Sequence, residues 1–178
     1  MSLIVVNLFA GPGAGKSTTA ADVFARLKRN QLKVELVAEF AKDLVWEGAT
    51  RNLADQLYLL GNQAHRLWRC AKSGVEIAVT DSPLLMSHSL MYGKANSIDF
   101  DIVVEEEFDR YDNLNFLLHR VKPYEELGRM EKIDRAMALD EDAHTLLNLL
   151  EYSYTIVKGN AEGAELIETR VLQYVNGH

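Results

Sequence analysis

The chain of 178 residues is predicted to be an α/β protein, with a doubly wound, mostly parallel sheet of five strands and helices on both faces. Two observations predict this class. Short apolar runs alternate along the chain with longer segments whose apolar residues recur every three or four positions, which is typical of strands alternating with amphipathic helices. The first apolar run also leads through a glycine-rich loop directly into a helical segment. Because there is no repeat, low-complexity tract or linker, we expect a single domain over 1–178.

Each strand is predicted from a short run rich in apolar and β-branched residues. In chain order the strands are 3–9, 33–38, 75–80, 114–119 and 154–158. The segments between them predict helices at 15–30, 40–48, 52–72, 83–92, 98–110, 140–151 and 161–176.

Two of these helices carry clear signals. Apolar residues in 52–72 are spaced alternately by three and four, which predicts a buried stripe. The helix at 140–151 opens on three acidic residues, which suit the positive end of a helix dipole. The stripe consists of Leu53, Leu57, Leu60, Ala64, Leu67 and Ala71.

The loop after the first strand has the residue pattern that binds nucleotide phosphates. Its glycines let the backbone approach phosphate oxygens, so that N–H groups form a nest for anions at the start of a helix. Lys16 is then expected to reach the β- and γ-phosphates, and the Ser17 hydroxyl to bind Mg²⁺. The predicted phosphate-binding residues are Gly11, Pro12, Gly13, Ala14, Gly15, Lys16, Ser17 and Thr18.

This loop therefore predicts a nucleoside triphosphate with Mg²⁺ as the ligand. One position departs from the strict motif, since Ala10 stands where the motif has glycine, and a small side chain fits there. The alternative is a glycine-rich turn without a ligand. That alternative does not explain why the Lys-Ser pair and both flanking elements agree with the motif.

Composition limits the class of protein and its partners. Apolar residues make up 48% and charged residues 25% of the chain, and no apolar stretch approaches the roughly 18 residues of a membrane span. Cys70 is the only cysteine, which excludes an internal disulfide. Since no leader pattern precedes the first strand, a cytoplasmic enzyme is expected. The net charge of −7 opposes non-specific attraction to nucleic acid, although it does not exclude a local basic groove.

Two acidic residues follow the second and third strands, at the edge where the glycine-rich loop is expected. Asp81 ends the third strand, where a carboxylate meets Mg²⁺, often through water. Asp81 or Ser82 would also serve as a helix N-cap. Glu39 follows the second strand, and a carboxylate there could accept the proton of an attacking hydroxyl as a general base. The alternative for Glu39 is a solvated acid at a helix start.

The polar segment at 120–136 is predicted to be a small arginine-rich lid. It follows the fourth strand at the same edge and contains a proline and a glycine that break helices. Arginines that fold over the phosphates would stabilise the charge on the transferring group. Arg120 and Arg129 are the first candidates for this catalytic role, and Arg135 is the third. A solvated charged face is the alternative.

With these residues in place, the chain resembles P-loop kinases of the nucleoside and nucleotide type over nearly its whole length. It is most similar to the nicotinamide-riboside-kinase-like ATPase group. Phage-encoded kinases that phosphorylate 5-hydroxymethyluracil in DNA, placed near thymidylate kinases, share the pattern. The resemblance implies ATP and Mg²⁺, and a homodimer is common in such folds. The motifs are the loop at 10–18, Val-Ala-Glu-Phe-Ala-Lys at 37–42, Asp-Gln-Leu-Tyr-Leu-Leu-Gly-Asn-Gln at 55–63, Thr-Asp-Ser-Pro at 80–83 and the arginine-rich segment at 120–135.

The resemblance also implies roles for individual residues. Lys16 and Ser17 match the phosphate and Mg²⁺ contacts. Glu39 falls where deoxynucleoside kinases keep a catalytic carboxylate, and Asp81 matches the acid after the third strand. Deoxynucleoside and thymidylate kinases usually follow that acid with arginine, whereas this chain has Ser82. The departure argues against a plain member of either group.

Three functions stay open from the sequence alone. The first is a kinase whose acceptor is a nucleoside, a nucleotide or a base in DNA, with the DNA base ranked slightly first on the resemblance alone. A DNA acceptor requires that the base be extruded or single-stranded. The second is an NTPase switch without an organic acceptor, although the Asn-Lys-x-Asp motif of GTPases is absent. The third is a non-catalytic nucleotide-binding module, which the presence of both loop residues and both acids disfavours.

Overall fold

A computed structural model describes residues 2–91, 97–121 and 133–177 of the protein. The strands are β1 (Ile4–Phe9), β2 (Val34–Val37), β3 (Ile77–Thr80), β4 (Asp112–His119) and β5 (Tyr154–Lys158). The α-helices are α1 (Lys16–Arg29), α2 (Phe40–Trp46), α3 (Gln56–Lys72), α4 (Ile98–Asp109), α5 (Ile133–Leu149) and α6 (Ala161–Gly177).

All five strands run parallel, in the order β2-β3-β1-β4-β5. The central strand is β1, in which Ile4 lies opposite Ile77 of β3 on one side and Asp112 of β4 on the other. Because the strands are parallel, their carboxyl ends share one edge of the sheet, and the loops that follow them meet there. The predicted doubly wound α/β fold is thereby confirmed.

Helices cover both faces of this sheet. Side chains alternate along β1, so that Val5 and Phe9 join one core cluster and Val6 and Leu8 the other. The first cluster contains residues of α3, α4 and α5, and the second contains residues of α1 and α6. These four side chains of β1 are buried, so both layers are close-packed around the central strand. Of the helices within the described ranges, none combines the length and the apolarity needed to cross a membrane.

Helix α5 corrects the predicted start of its helix and the extent of the lid. It begins at Ile133 rather than at 140, so Asp140 lies in the middle of the helix and not in its first turn. The last residues of the predicted lid at 120–136 therefore belong to α5, while 122–132 lie outside the described residues. An acidic residue is accommodated in the middle of this helix because its carboxylate has tertiary partners in the site.

The helix predicted at 83–92 is wrong. Only a short 3₁₀ helix is present there, over Leu84–Ser87, and 92–96 lie outside the described residues. Leu84, Leu85 and Met86 are all buried in the core beneath α3 and α4. Consecutive buried residues do not fit the single apolar stripe of a surface α-helix, which explains the difference.

Helix α3 is shorter and less deeply buried than predicted. It begins at Gln56, after Asp55, whose side chain caps the helix. Leu60 and Leu67 of the predicted stripe are buried, whereas Leu57 is 67% exposed. Leu57 lines an open groove of about 630 Å³ between α3 and α4.

Candidate active site

The glycine-rich loop joins β1 to α1 through two left-handed residues. Gly13 has φ +79° and Gly15 has φ +98°, values that residues with a Cβ rarely adopt. Helix α1 starts at Lys16, immediately after Gly15, and the Thr19 N–H donates to the Gly15 carbonyl at 2.9 Å. The loop backbone therefore leads directly into the N-terminus of a helix, a geometry that suits phosphate binding.

Two close backbone contacts hold this loop in place. A Cβ on Gly11 would collide with the carbonyl oxygen of Ala136 in α5. On the other side, a Cβ on Gly159 would collide with the carbonyl oxygen of Ala14, and a Cβ on Gly15 would lie 2.7 Å from the carbonyl oxygen of Gly159. The loop is thus fitted between α5 and the turn that follows β5.

Lys16 lies back across the loop. Its Nζ donates to the carbonyl oxygen of Ala10 at 2.7 Å and to that of Gly11 at 3.1 Å. Burial lowers the pKa of Lys16 below its usual value of 10.5, and neighbouring carboxylates oppose this shift. The charged groups that act on the ammonium are Glu39, Asp81 and Asp140, which raise the pKa, and Arg120, which lowers it.

Three of the predicted site residues are linked by hydrogen bonds. Ser17 Oγ donates to Asp81 Oδ2 at 2.5 Å, and the Glu39 backbone N–H donates to Asp81 Oδ1 at 3.0 Å. Asp81 is 5% exposed, so this carboxylate is held between the start of α1 and the start of α2. The cap of the following 3₁₀ helix is Pro83, with no side-chain hydrogen bond, so Asp81 is not used as a cap there.

Ser17 and Asp81 also present the oxygen ligands that Mg²⁺ prefers. Magnesium typically takes one or two protein oxygens and completes its shell with water and substrate phosphate. Within the described ranges, no group of three or more His, Cys, Asp or Glu side chains could hold a metal ion. The adjacent hydroxyl and carboxylate could therefore give a magnesium ion two oxygen ligands, and among the described residues they are not part of a cage of three or more such side chains.

Gln63 helps to fix the position of Glu39 through hydrogen bonds to the neighbouring residue Phe40 and to Thr80. Its Oε1 accepts from the Phe40 backbone N–H at 3.1 Å, and its Nε2 donates to Thr80 Oγ1 at 3.3 Å. Gln63 is 6% exposed although it lies off the leucine stripe of α3. It braces the first residue of α2 against the end of β3, and Glu39 is the residue directly before that helix.

Arg120 follows β4 and forms a bidentate ion pair with Asp140 of α5. Its Nε and Nη2 lie 3.1 and 3.0 Å from Asp140 Oδ2. The two side chains are 13% and 22% exposed, so Arg120 is held in the site and is not a solvated surface arginine. Arg135 lies in α5 and pairs with Asp142 at 3.7 Å. Arg129, the other predicted lid arginine, lies outside the described residues.

Asp140 and Gly159 are two site positions that sequence reasoning missed. The Gly11 N–H donates to Asp140 Oδ1 at 2.6 Å, so this carboxylate contacts the loop as well as Arg120. Asp140 lies four residues after Ala136 and three before Ala143, both of which are buried. An acid in an apolar stripe would have been the signal, had the helix been predicted to begin at 133. Gly159 had no local signal beyond being the first residue after a strand.

The parallel sheet and the glycine-rich loop together define an α/β protein with the P-loop kinase fold. A family model described as AAA domain (AAA_28) matches residues 5–163, and the chain belongs to this family. The structure is similar to that of thymidylate kinase from Ehrlichia chaffeensis, with a TM-score of 0.57 and 10% sequence identity, covering 98% of this chain and 100% of that one. A search of curated proteins finds no significant match.

Proposed function

We propose that the protein is a magnesium- and ATP-dependent kinase, which transfers the γ-phosphate to a hydroxyl of a nucleoside- or nucleotide-type acceptor. The observation that carries this proposal is the hydrogen-bonded chain from Ser17 through Asp81 to Glu39, beside Lys16. It brings an ammonium, a hydroxyl and two acidic residues together at one sheet edge, and in the proposed reaction these would bind phosphate, hold magnesium and accept a proton. Phosphoryl transfer needs mainly positioning and charge stabilisation, which such a set supplies.

In the proposed reaction the loop from Gly11 to Thr18 binds the phosphates. Lys16 would exchange its loop carbonyls for β- and γ-phosphate oxygens, and Ser17 and Asp81 would hold Mg²⁺. The ion, when bound, neutralises charge that develops on the phosphate oxygens. Arg120 and Arg129 would supply further positive charge to the transferring group.

Glu39 is proposed as the general base for the acceptor hydroxyl. Its backbone is fixed by Asp81 and by the Phe40–Gln63 hydrogen bond, so its carboxyl group starts from a defined point beside the loop. A general base must lie within hydrogen-bond reach of the proton that it removes. Asp81 is the alternative base, but its two oxygens already accept from Ser17 and Glu39.

The acceptor proposed first is the 5-hydroxymethyl group of 5-hydroxymethyluracil in phage DNA, on the sequence resemblance. A free nucleoside, nicotinamide riboside or a nucleoside monophosphate is the alternative. Two observations support the alternative: the fold similarity to a thymidylate kinase and the net charge of −7, which disfavours a DNA polyanion. The protein is proposed to act as one domain in the cytoplasm, and a homodimer is compatible with it.

Transfer of label from γ-³²P-ATP with Mg²⁺ tests the function. The panel comprises nucleosides, nucleoside monophosphates, nicotinamide riboside, plain DNA and DNA containing 5-hydroxymethyluracil. Label on modified DNA alone would support the first acceptor, and label on one free acceptor would support the alternative. Release of free phosphate that no acceptor stimulates would reject the kinase and favour an NTPase module.

A further inference from the structure

The carboxylate of Asp140 accepts hydrogen bonds from two parts of the candidate site. Oδ1 accepts from the Gly11 N–H at 2.6 Å, at the start of the phosphate-binding loop. Both oxygens also accept from Arg120, at distances of 3.0–3.3 Å. One side chain in the middle of α5 therefore joins the loop after β1 to the residue after β4.

We infer that Asp140 is a positioning residue, which holds the guanidinium of Arg120 at a fixed place beside the phosphate-binding loop so that it meets the transferring phosphate. This inference rests on the proposed function, because it concerns the rate at which phosphate leaves bound ATP. It assigns to Asp140 no contact with substrate. Its action is transmitted through Arg120.

The geometry explains why Arg120 needs such a partner. An arginine side chain has many rotamers, and ordering it costs on the order of 2 kcal/mol of conformational entropy. A bidentate ion pair with a carboxylate fixes both the plane and the direction of the guanidinium. The carboxylate is itself fixed, because it projects from a helix whose neighbouring residues, Ala136 and Leu139, pack directly against Gly11.

The charges agree with this arrangement. Lys16 and Arg120 are both cationic and lie close enough that Arg120 lowers the pKa of Lys16, while Asp140 raises it. Asp140 therefore acts as the counterion that lets two cations share one side of the loop. Without it, Arg120 would be repelled by Lys16 before a nucleotide arrives.

Asp140→Asn separates the two contacts of this carboxylate. An asparagine keeps one oxygen that can accept from the Gly11 N–H. Its NH₂ group is a donor, so the side chain cannot form the bidentate ion pair with Arg120. Asp140→Glu restores the negative charge and should recover part of the rate. Asp142→Asn is the matched control in the same helix, since Asp142 is partly exposed and its ion pair is with Arg135, at 3.7 Å, instead of Arg120.

The test is a double-mutant cycle of Arg120→Gln and Asp140→Asn. The readout is the single-turnover rate at which the γ-phosphate leaves bound Mg-ATP, whether to an acceptor or to water. Each single variant is expected to be about tenfold or more slower than the wild-type chain. The double variant is expected to be no slower than Arg120→Gln alone, because Asp140 acts through that arginine. Asp142→Asn should keep the wild-type rate.

Two results would overturn the inference. The first is multiplication of the two single effects in the double variant. The second is a wild-type rate in Asp140→Asn, and weaker ATP binding or lower thermal stability beside such a rate would show a structural role only. If the wild-type chain releases phosphate to water but to no acceptor, the proposed kinase function fails, while the cycle still measures the coupling.

Discussion

Gly159→Ala tests whether the turn after β5 positions the phosphate-binding loop. Gly159 is buried, and its N–H donates to the carbonyl oxygen of His119 at 2.9 Å. An added methyl group would collide with the Ala14 carbonyl oxygen and would lie 3.5 Å from that of His119. Since both neighbours are backbone atoms, no side chain can rotate away, and the contact between Gly159 and the loop at Ala14 must open.

The size of the effect follows from the cost of overpacking. Inserting a methyl group into a well-packed site costs about 1–3 kcal/mol. If the displaced loop loses that amount of binding free energy, affinity for Mg-ATP falls by roughly 5- to 150-fold, at 1.4 kcal/mol per tenfold. Titration calorimetry with a non-hydrolysable ATP analogue measures this directly, alongside chemical denaturation for stability.

Gly61→Ala is the matched control for this change. Gly61 lies in α3, and an added Cβ meets nothing within 4 Å. The substitution should leave nucleotide affinity unchanged and stabilise the helix by about 0.5–1 kcal/mol. The reasoning is refuted if Gly159→Ala binds the analogue as tightly as the wild-type chain, or if both variants weaken binding equally.

Three further predictions follow from single contacts. Asp81→Asn keeps an acceptor for the Glu39 N–H but removes the negative charge beside Ser17. Phosphate release from Mg-ATP should therefore slow by about 10²- to 10³-fold, and a higher Mg²⁺ concentration should be needed. An unchanged Mg²⁺ titration would contradict the metal role. Burial lowers the pKa of Lys16 below 10.5, so ATP affinity should fall as the pH rises through that lowered pKa, and Lys16→Met should abolish this pH dependence in binding titrations. Phe108→Ala removes a fully buried ring that packs edge-on against Tyr152. Urea denaturation should show that the free energy of unfolding falls by about 3–5 kcal/mol. A decrease of less than about 1 kcal/mol would contradict this packing role.

The strands were predictable from the sequence to within two residues, because each contains a short apolar run, and β1 and β3 in the middle of the sheet are buried along nearly their whole length. The run at 154–158 coincides with β5, and that at 3–9 differs from β1 only at its first residue. Buried parallel strands carry a local composition signal, whereas the helices that cover them depend on which face finds a partner. Leu57 fits the stripe of α3 by spacing alone, but α4 does not cover it.

The start of α5 could not be predicted because its reason is tertiary. Residues 140–142 are all acidic and resemble a helix N-terminus, yet the helix begins seven residues earlier at Ile133. Asp140 is stabilised there by Arg120 and by the Gly11 N–H, two partners that are 20 and 129 positions away in the chain. Local spacing contains no information about either contact.

The charges around Lys16 explain how an acidic chain could bind a polyanion on the proposed function. Among the described residues that act on this ammonium, Asp140 is balanced by Arg120, which leaves Glu39 and Asp81 as two carboxylates against the Lys16 cation. This balance would repel a bare nucleoside triphosphate. A divalent ion beside Ser17 and Asp81 reverses it, since a bound metal is the largest local charge in such a site. On the proposed function, nucleotide binding would therefore depend on magnesium, and the same ion would stabilise the transfer of the phosphate.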